Sequence, residues 1–139
     1  MKRIVLAANA EADQPWVADA VAQLARETGA DVAVMCADEL ETEMLSTLPR
    51  DVPRDRAERA AVKAEERLRA AGVEASHHVM AGPALQAILD FADQQQADLI
   101  VVGSSTRSRV AQRILGSTPL ALVQRSSRPV MVVTEPHAS

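Results

Sequence analysis

Asp98-Leu99-Ile100-Val101-Val102-Gly103-Ser104-Ser105-Thr106-Arg107-Ser108-Arg109-Val110-Ala111-Gln112-Arg113-Ile114-Leu115-Gly116-Ser117-Thr118 is the stretch from which the fold can be read. It begins as a short, almost wholly apolar run, Asp98 to Val102, the pattern of a central parallel strand covered on both faces. Gly103 and three hydroxyl residues follow as a small-residue turn, then a loop carrying Arg107, Arg109 and Arg113. Gly116-Ser117-Thr118-Pro119 opens another helix. A strand end, a turn of small residues, a basic loop and a helix N-terminus together bring backbone N–H groups, hydroxyls and a helix dipole to one anion. The reading is a nucleotide phosphate site, or the remains of one.

Outward from this stretch the chain alternates between two periods. Ile4 to Ala8 reads as a buried strand closing at Asn9, and Ala10 to Ala12 make the turn. Asp13 is placed to cap a helix with Pro15 and Trp16 in its first turn. Val17, Ala20, Val21, Leu24 and Ala25 recur at helical spacing, and Gly29 is the stop. Val32 to Ala37 is a second strand. Asp38 to Asp55 is an irregular connection, long for a compact domain. Arg54 to Ala71 carries a narrow alanine stripe beneath a solvated charged face and ends at Gly72. Val73 to Ala81 is a third strand, and Gly82-Pro83 turns into a helix with Leu85, Ile88, Leu89 and Ala92 inward. A short helix from Leu120 to Arg125 and a strand from Pro129 to Thr134 follow. Residues 135–139 read as a loose tail. Strands alternating with helices imply α/β architecture in three layers, α/β/α, with a five-stranded parallel sheet and right-handed crossovers. In such Rossmann-like folds ligands bind at the carboxyl ends of strands where the winding reverses. The ends concerned are Asn9-Ala10, Ala37-Asp38 and Gly103 onward.

Composition narrows the function. The chain has 139 residues, which reads as one domain, and a formal net charge of −4, which argues against binding nucleic acid through overall charge. No apolar run approaches the ~18 residues that cross a membrane, and Met1-Lys2-Arg3-Ile4-Val5-Leu6-Ala7-Ala8 is too short in its apolar part for a signal peptide. With a single cysteine there is no intrachain disulfide, and a reducing cytoplasm fits. One Trp, one Phe and no Tyr leave little for flavin stacking. A phospho-receiver would need acids where Asn9-Ala10 and Met80-Ala81-Gly82 stand.

Gly82-Pro83 before an Ala-x-x-Ile helix, Ala97 to Gly103, Gly116-Ser117, and Arg128-Pro129-Val130-Met131-Val132-Val133 together resemble the universal stress protein family. The resemblance spans essentially the whole chain and implies the adenine-nucleotide alpha-hydrolase-like fold. It also implies a cytoplasmic dimer involved in stress response, in a family where some members bind ATP and others do not. The ATP-binding motif of that family is Gly, two residues, Gly, nine residues, then Gly-Ser or Gly-Thr. Gly103 and Gly116-Ser117 match its ends, whereas Thr106 stands at its second glycine. Asn9 stands where an aspartate is usual and Ala10 where a glycine is. By the same resemblance Ala37 falls where backbone meets adenine, and Val102 and Gly103 lie near the ribose. Thr106 is β-branched and resists positive φ, so it implies a reshaped loop unless the motif's glycine serves only close backbone approach. The amide oxygen of Asn9 can still accept a bond from an exocyclic amine. Arg107, Arg109 and Arg113 are suited to triphosphate, or they form a solvated basic loop. Ser117 and Thr118 face a ligand, cap the helix, or divide those roles.

Two functions stay open on this reading. One is an ATP-binding regulatory protein, with Mg2+ accompanying the triphosphate and at most slow hydrolysis. No Walker lysine, base or dedicated magnesium carboxylate marks a catalytic or metal centre. The other is a nucleotide-free dimeric interaction module acting on an unidentified protein partner. In both, the last strand lies at the sheet edge, and an apolar edge is a pairing hazard. The family resemblance suggests that two copies meet there through Val130, Met131, Val132 and Val133. Among other groups, His77 and His78 point to opposite faces of a strand and do not share a metal. Cys36 reads as a buried small residue, and Met35, Met44, Met80 and Met131 as packing. Asp38, Glu39, Glu41 and Glu43 read as a solvated acidic face.

Overall fold

The structure is a computed structural model and describes residues 1–38, 51–104 and 117–136. The elements are β1 (Arg3–Ala7), α1 (Pro15–Thr28), β2 (Asp31–Ala37), α2 (Asp51–Ala70), β3 (Ala75–Met80), α3 (Ala84–Gln95), β4 (Leu99–Ser104), α4 (Ser117–Arg125) and β5 (Val130–Thr134). All strands are parallel, in the order β3-β2-β1-β4-β5. This is the expected five-stranded α/β sheet with helices on both faces. β5 lies at one edge and β3 at the other.

Strand periodicity sorts the core into two layers. Ile4, Leu6, Val32, Val34, Cys36, Leu99 and Val101 point to one face, under α1 and α2. Val5, Ala7, Ala33, Met35, Ile100 and Val102 point to the other, under α3 and α4. Every one of these positions is less than 8% exposed, which is why the strands read as continuous apolar runs rather than as alternating ones. A crossover of constant hand demands the same division. The steps from β1 to β2 to β3 move one way with helices on one face, and the steps from β3 to β4 to β5 move back with helices on the other. The winding therefore reverses between β1 and β4, which pair from Ile4 with Leu99 to Ala7 with Val102. Phe91, the single phenylalanine, and Leu122 are the fully buried anchors of α3 and α4.

Several boundaries differ from the sequence reading. Gly103 and Ser104 are not turn residues: they extend β4 and pair with Val133 and Thr134. Asp13 does not cap α1. The cap position is Gln14, whose side chain makes no capping bond, and Pro15 starts the helix. Asp13 instead meets Lys63 of α2 at 2.8 Å. Helix α2 begins at Asp51 and α4 at Ser117, each about one turn early. Pro53 and Pro119 are compatible with this, because the first helical N–H groups have no partner within the helix. Asp38 is 4% exposed and does not belong to a solvated face. Its N–H donates to Met80 O, and Arg54 Nη1 approaches its carboxylate at 3.9 Å. Glu39, Glu41 and Glu43 lie outside the described residues. Glu135 is held rather than loose, since it is 9% exposed and its N–H donates to Ser104 O. Gly29 does end α1, at φ +77°, with its N–H on Ala25 O.

Candidate functional site

At the carboxyl ends of β1, β2 and β4 lies a cavity of about 310 Å³, at the reversal point of the winding. Asn9, Ala10, Ala37, Val102, Gly103 and Thr118, six of the positions singled out in the sequence, all line it. They come from four separate segments, and only the strand order brings them together. Ser117 is the first residue of α4, whose N-terminus opens on the same cavity through Thr118 and Pro119. Thr106, Arg107, Arg109, Arg113 and Gly116 lie outside the described residues.

Other walls were not legible in advance. Met35 and Cys36 come from the end of β2, and Ala84 and Ile88 from the first two turns of α3. The α3 contribution leaves no local signal, because Ile88 looks like any inward helix position. Among the described lining residues Glu11 is the only charged one. The described part of the cavity is thus a slot of mostly small apolar side chains, with polar groups making up at least as much of its surface, and it meets a helix N-terminus. Orphan N–H groups and the helix dipole favour an anion there, and the slot favours a flat apolar group.

Asn9 has a specific local task. Its Oδ1 accepts the Glu11 N–H at 2.8 Å, closing the turn after β1. An N–H donor can be answered only by the amide oxygen, which sets the amide orientation. The Nδ2 hydrogens are then the side chain's remaining donors, and one oxygen lone pair remains as acceptor.

Gly103 is needed for approach rather than for a left-handed backbone. A Cβ at this position would lie 2.5 Å from Val17 Cγ2, 2.5 Å from Gln14 Oε1 and 2.9 Å from Gln14 Cδ. The glycine lets the start of α1 settle onto β4.

Cys36 is buried, and burial together with the nearby Asp38 charge pushes its thiol up to about 11. It is therefore protonated at neutral pH and is a packing group here. His77 and His78 diverge as expected. His77 Nδ1 meets Glu65 of α2 at 3.1 Å, and the His78 ring meets Phe91 of α3 at a centroid distance of 5.0 Å. No group of three His, Cys, Asp or Glu side chains gathers as a metal site among the described residues. No described helix is long and apolar enough to cross a membrane.

Comparison with known proteins gives a consistent picture. Residues 1–134 match the sequence model of the universal stress protein family. A universal stress protein of Mycobacterium tuberculosis is 35% identical over 71 residues, 50% of this chain and 49% of the relative, so the match spans about half the length of that relative. A universal stress protein structure from Archaeoglobus fulgidus superposes with a TM-score of 0.80 at 25% identity, covering 95% of this chain and 98% of that one. A universal stress protein solved in complex with cAMP superposes with a TM-score of 0.72 at 25% identity, covering 99% and 98%.

Proposed function

The chain belongs to the universal stress protein family, and from that premise we propose that it is an adenine-nucleotide-binding regulatory protein of the stress response that works as a homodimer in the cytoplasm. One observation carries the nucleotide reading. The strand order gathers Asn9, Ala37, Val102, Gly103 and Thr118 around a single cavity at the winding reversal, against the N-terminus of α4. The base occupies the apolar slot between Ala37 and Ile88, and the ribose lies along Val102 and Gly103. The phosphates reach the α4 N-terminus at Ser117 and Thr118, and by the family motif Thr106, Arg107 and Gly116 are assigned to them as well. A similar protein was solved with cAMP, which supports an adenine nucleotide. ATP with Mg2+ is the fullest ligand we assign, and the nucleotide acts as a signal, with hydrolysis slow at most. Binding biases the stretch from Ser104 to Leu115 and so alters the fit of a protein partner.

The homodimer rests on β5. It is an edge strand with Val130, Met131, Val132 and Val133 all half-buried. A second β5 across a two-fold axis would cover it.

One observation favours the nucleotide-free module instead. The Asn9 oxygen is already engaged by Glu11, which leaves a poorer acceptor for an exocyclic amine. The experiment is direct. The purified protein is denatured and its supernatant examined for adenine nucleotide, and the refolded protein is titrated calorimetrically with ATP, ADP, AMP and cAMP. Asn9→Asp restores a free carboxylate oxygen and should strengthen adenine-nucleotide binding. No released nucleotide, no heat, and no gain in Asn9→Asp would sink the nucleotide reading.

A further inference from the structure

We propose that the groove between α1 and α2 is a second ligand site, on the opposite side of the Asn9–Glu11 turn from the nucleotide cavity, and that it takes an apolar body carrying a single anionic head, such as an aliphatic carboxylate. The groove encloses about 660 Å³, within the range of small-molecule sites. Its floor is Leu6 and Val17, both 3% exposed or less. Its upper walls are Ala8 from the end of β1 and Ala60 and Ala64 from α2, which are only half-buried, with no described side chain between them.

The groove is held open. Two ion pairs tie α2 to α1 and to the turn before it: Lys63 Nζ to Asp13 of that turn at 2.8 Å, and Arg67 to both carboxylate oxygens of Asp19 in α1 at 2.6 and 3.0 Å. Each exposed pair contributes little to stability, but together they set the spacing of the two helices. A ligand body entering the groove finds these described walls already in place.

The head group is specified by charge. Arg56 and Arg59 stand about one turn apart on the same edge of α2 and line the groove. Among the described residues neither has an ion-pair partner, whereas the groove's other cations, Lys63 and Arg67, are both paired. Two guanidinium groups at this spacing suit one carboxylate. The groove's remaining carboxylates do not form an equivalent pair for a cation. Glu11 belongs to the turn after β1, and Glu66 lies ten residues beyond Arg56, about 15 Å along the helix. The ligand therefore lies with its head at Arg56 and Arg59 and its apolar part against Ala60 and Ala64.

The test uses anilinonaphthalene sulfonate, an apolar anion that fluoresces when buried, with decanoate as competitor. The full-length protein should bind the dye at one site per chain and release it to decanoate, with decanol at least about tenfold weaker because it lacks the charge. Ala64→Leu fills the groove and should abolish dye binding. Arg56→Gln/Arg59→Gln, two surface changes that leave the core intact, should weaken decanoate by about tenfold or more. AMP titrations run in parallel should be the same in all variants, so a failure of the nucleotide reading would show separately. Absence of dye binding, equal competition by decanol, or dye binding unchanged in Ala64→Leu or in the double variant would each overturn the proposal.

Discussion

Gly103→Ala asks whether this glycine serves the fold or a ligand. The added Cβ lies 2.5 Å from Oε1 of Gln14 at the cap of α1 and 2.5 Å from Cγ2 of Val17 within it, where carbon atoms ordinarily settle at about 3.5–4.0 Å. Gln14 is half-buried and its amide can swing away. Val17 cannot: it is 3% exposed, it is β-branched, and one χ1 rotamer dominates in a helix. Its methyl must retreat by roughly 1 Å into a close-packed layer. Overpacking of this kind costs about 1–3 kcal/mol. For a chain of this length that is a fall in Tm of roughly 3–10 °C. The assay is urea unfolding followed by the fluorescence of Trp16, the single tryptophan. It sits beside Val17, and its Nε1 donates to Val133 O at 3.3 Å, so it reports on α1 and β5 together. Protein concentration is held fixed, since a dimer's stability depends on it. Val17→Ala alone should cost about 2 kcal/mol. If the clash is with Val17, the double variant should be more stable than the sum of the two single variants by about 1 kcal/mol or more. Unchanged stability in Gly103→Ala, or strict additivity in the double variant, would refute the reasoning. Loss of nucleotide affinity at full stability would assign the glycine to the ligand instead.

Three further outcomes follow from the geometry. Burial and the Asp38 charge hold the Cys36 thiol up at about 11, so a disulfide reagent at neutral pH should modify it only at the rate of unfolding; fast labelling of the native protein would contradict this. His78 has its pKa lowered, first by burial and then by the neighbouring His77, so the unfolded chain binds more protons than the folded one near neutrality. Stability is then full above pH ~6.5 and declines as pH falls through that value toward the lower folded pKa, and His78→Gln should flatten this part of the urea-midpoint profile; an unaltered slope would tell against it. In β5, Pro129 O accepts from Ile100 N–H and the residues alternate, so the Val132 N–H faces the free edge. Val132→Pro removes that outward donor without breaking the ladder to β4 and should give a folded monomer by light scattering. A wild-type monomer at micromolar concentration would dismiss the edge-to-edge homodimer.

Much of the architecture was legible because its signals are local. Apolar runs of five or six residues, helical spacing in Val17, Val21, Leu24 and Ala25, and stops at Gly29 and Gly72 depend only on neighbours in the chain. The order of strands and helices then implied parallel pairing, β5 at an edge, and a site at the ends of β1, β2 and β4. Element ends were less legible. Gly103 and Ser104 look like turn residues by composition, yet they extend β4 because β5 supplies their partners. Asp98 looks like a plain strand start, but its Oδ2 accepts the N–H groups of Lys2 and Arg3 at 2.7 and 3.0 Å.

By itself the sequence of this chain determined the alternation of elements, the family likeness, and which segments carry the candidate site. Tertiary structure alone decided what those residues do. It spent the Asn9 oxygen on the Glu11 N–H, set Gly103 beneath Val17, buried Asp38, and left an alanine-walled groove between α1 and α2 with two arginines that pair with no described residue. The physical reason is range. Backbone propensity and periodicity act over a turn or a pleat, whereas approach, burial and hydrogen bonding depend on groups that lie up to 117 residues apart in the chain, such as Trp16 and Val133. Only the packed sheet puts those groups within reach of each other.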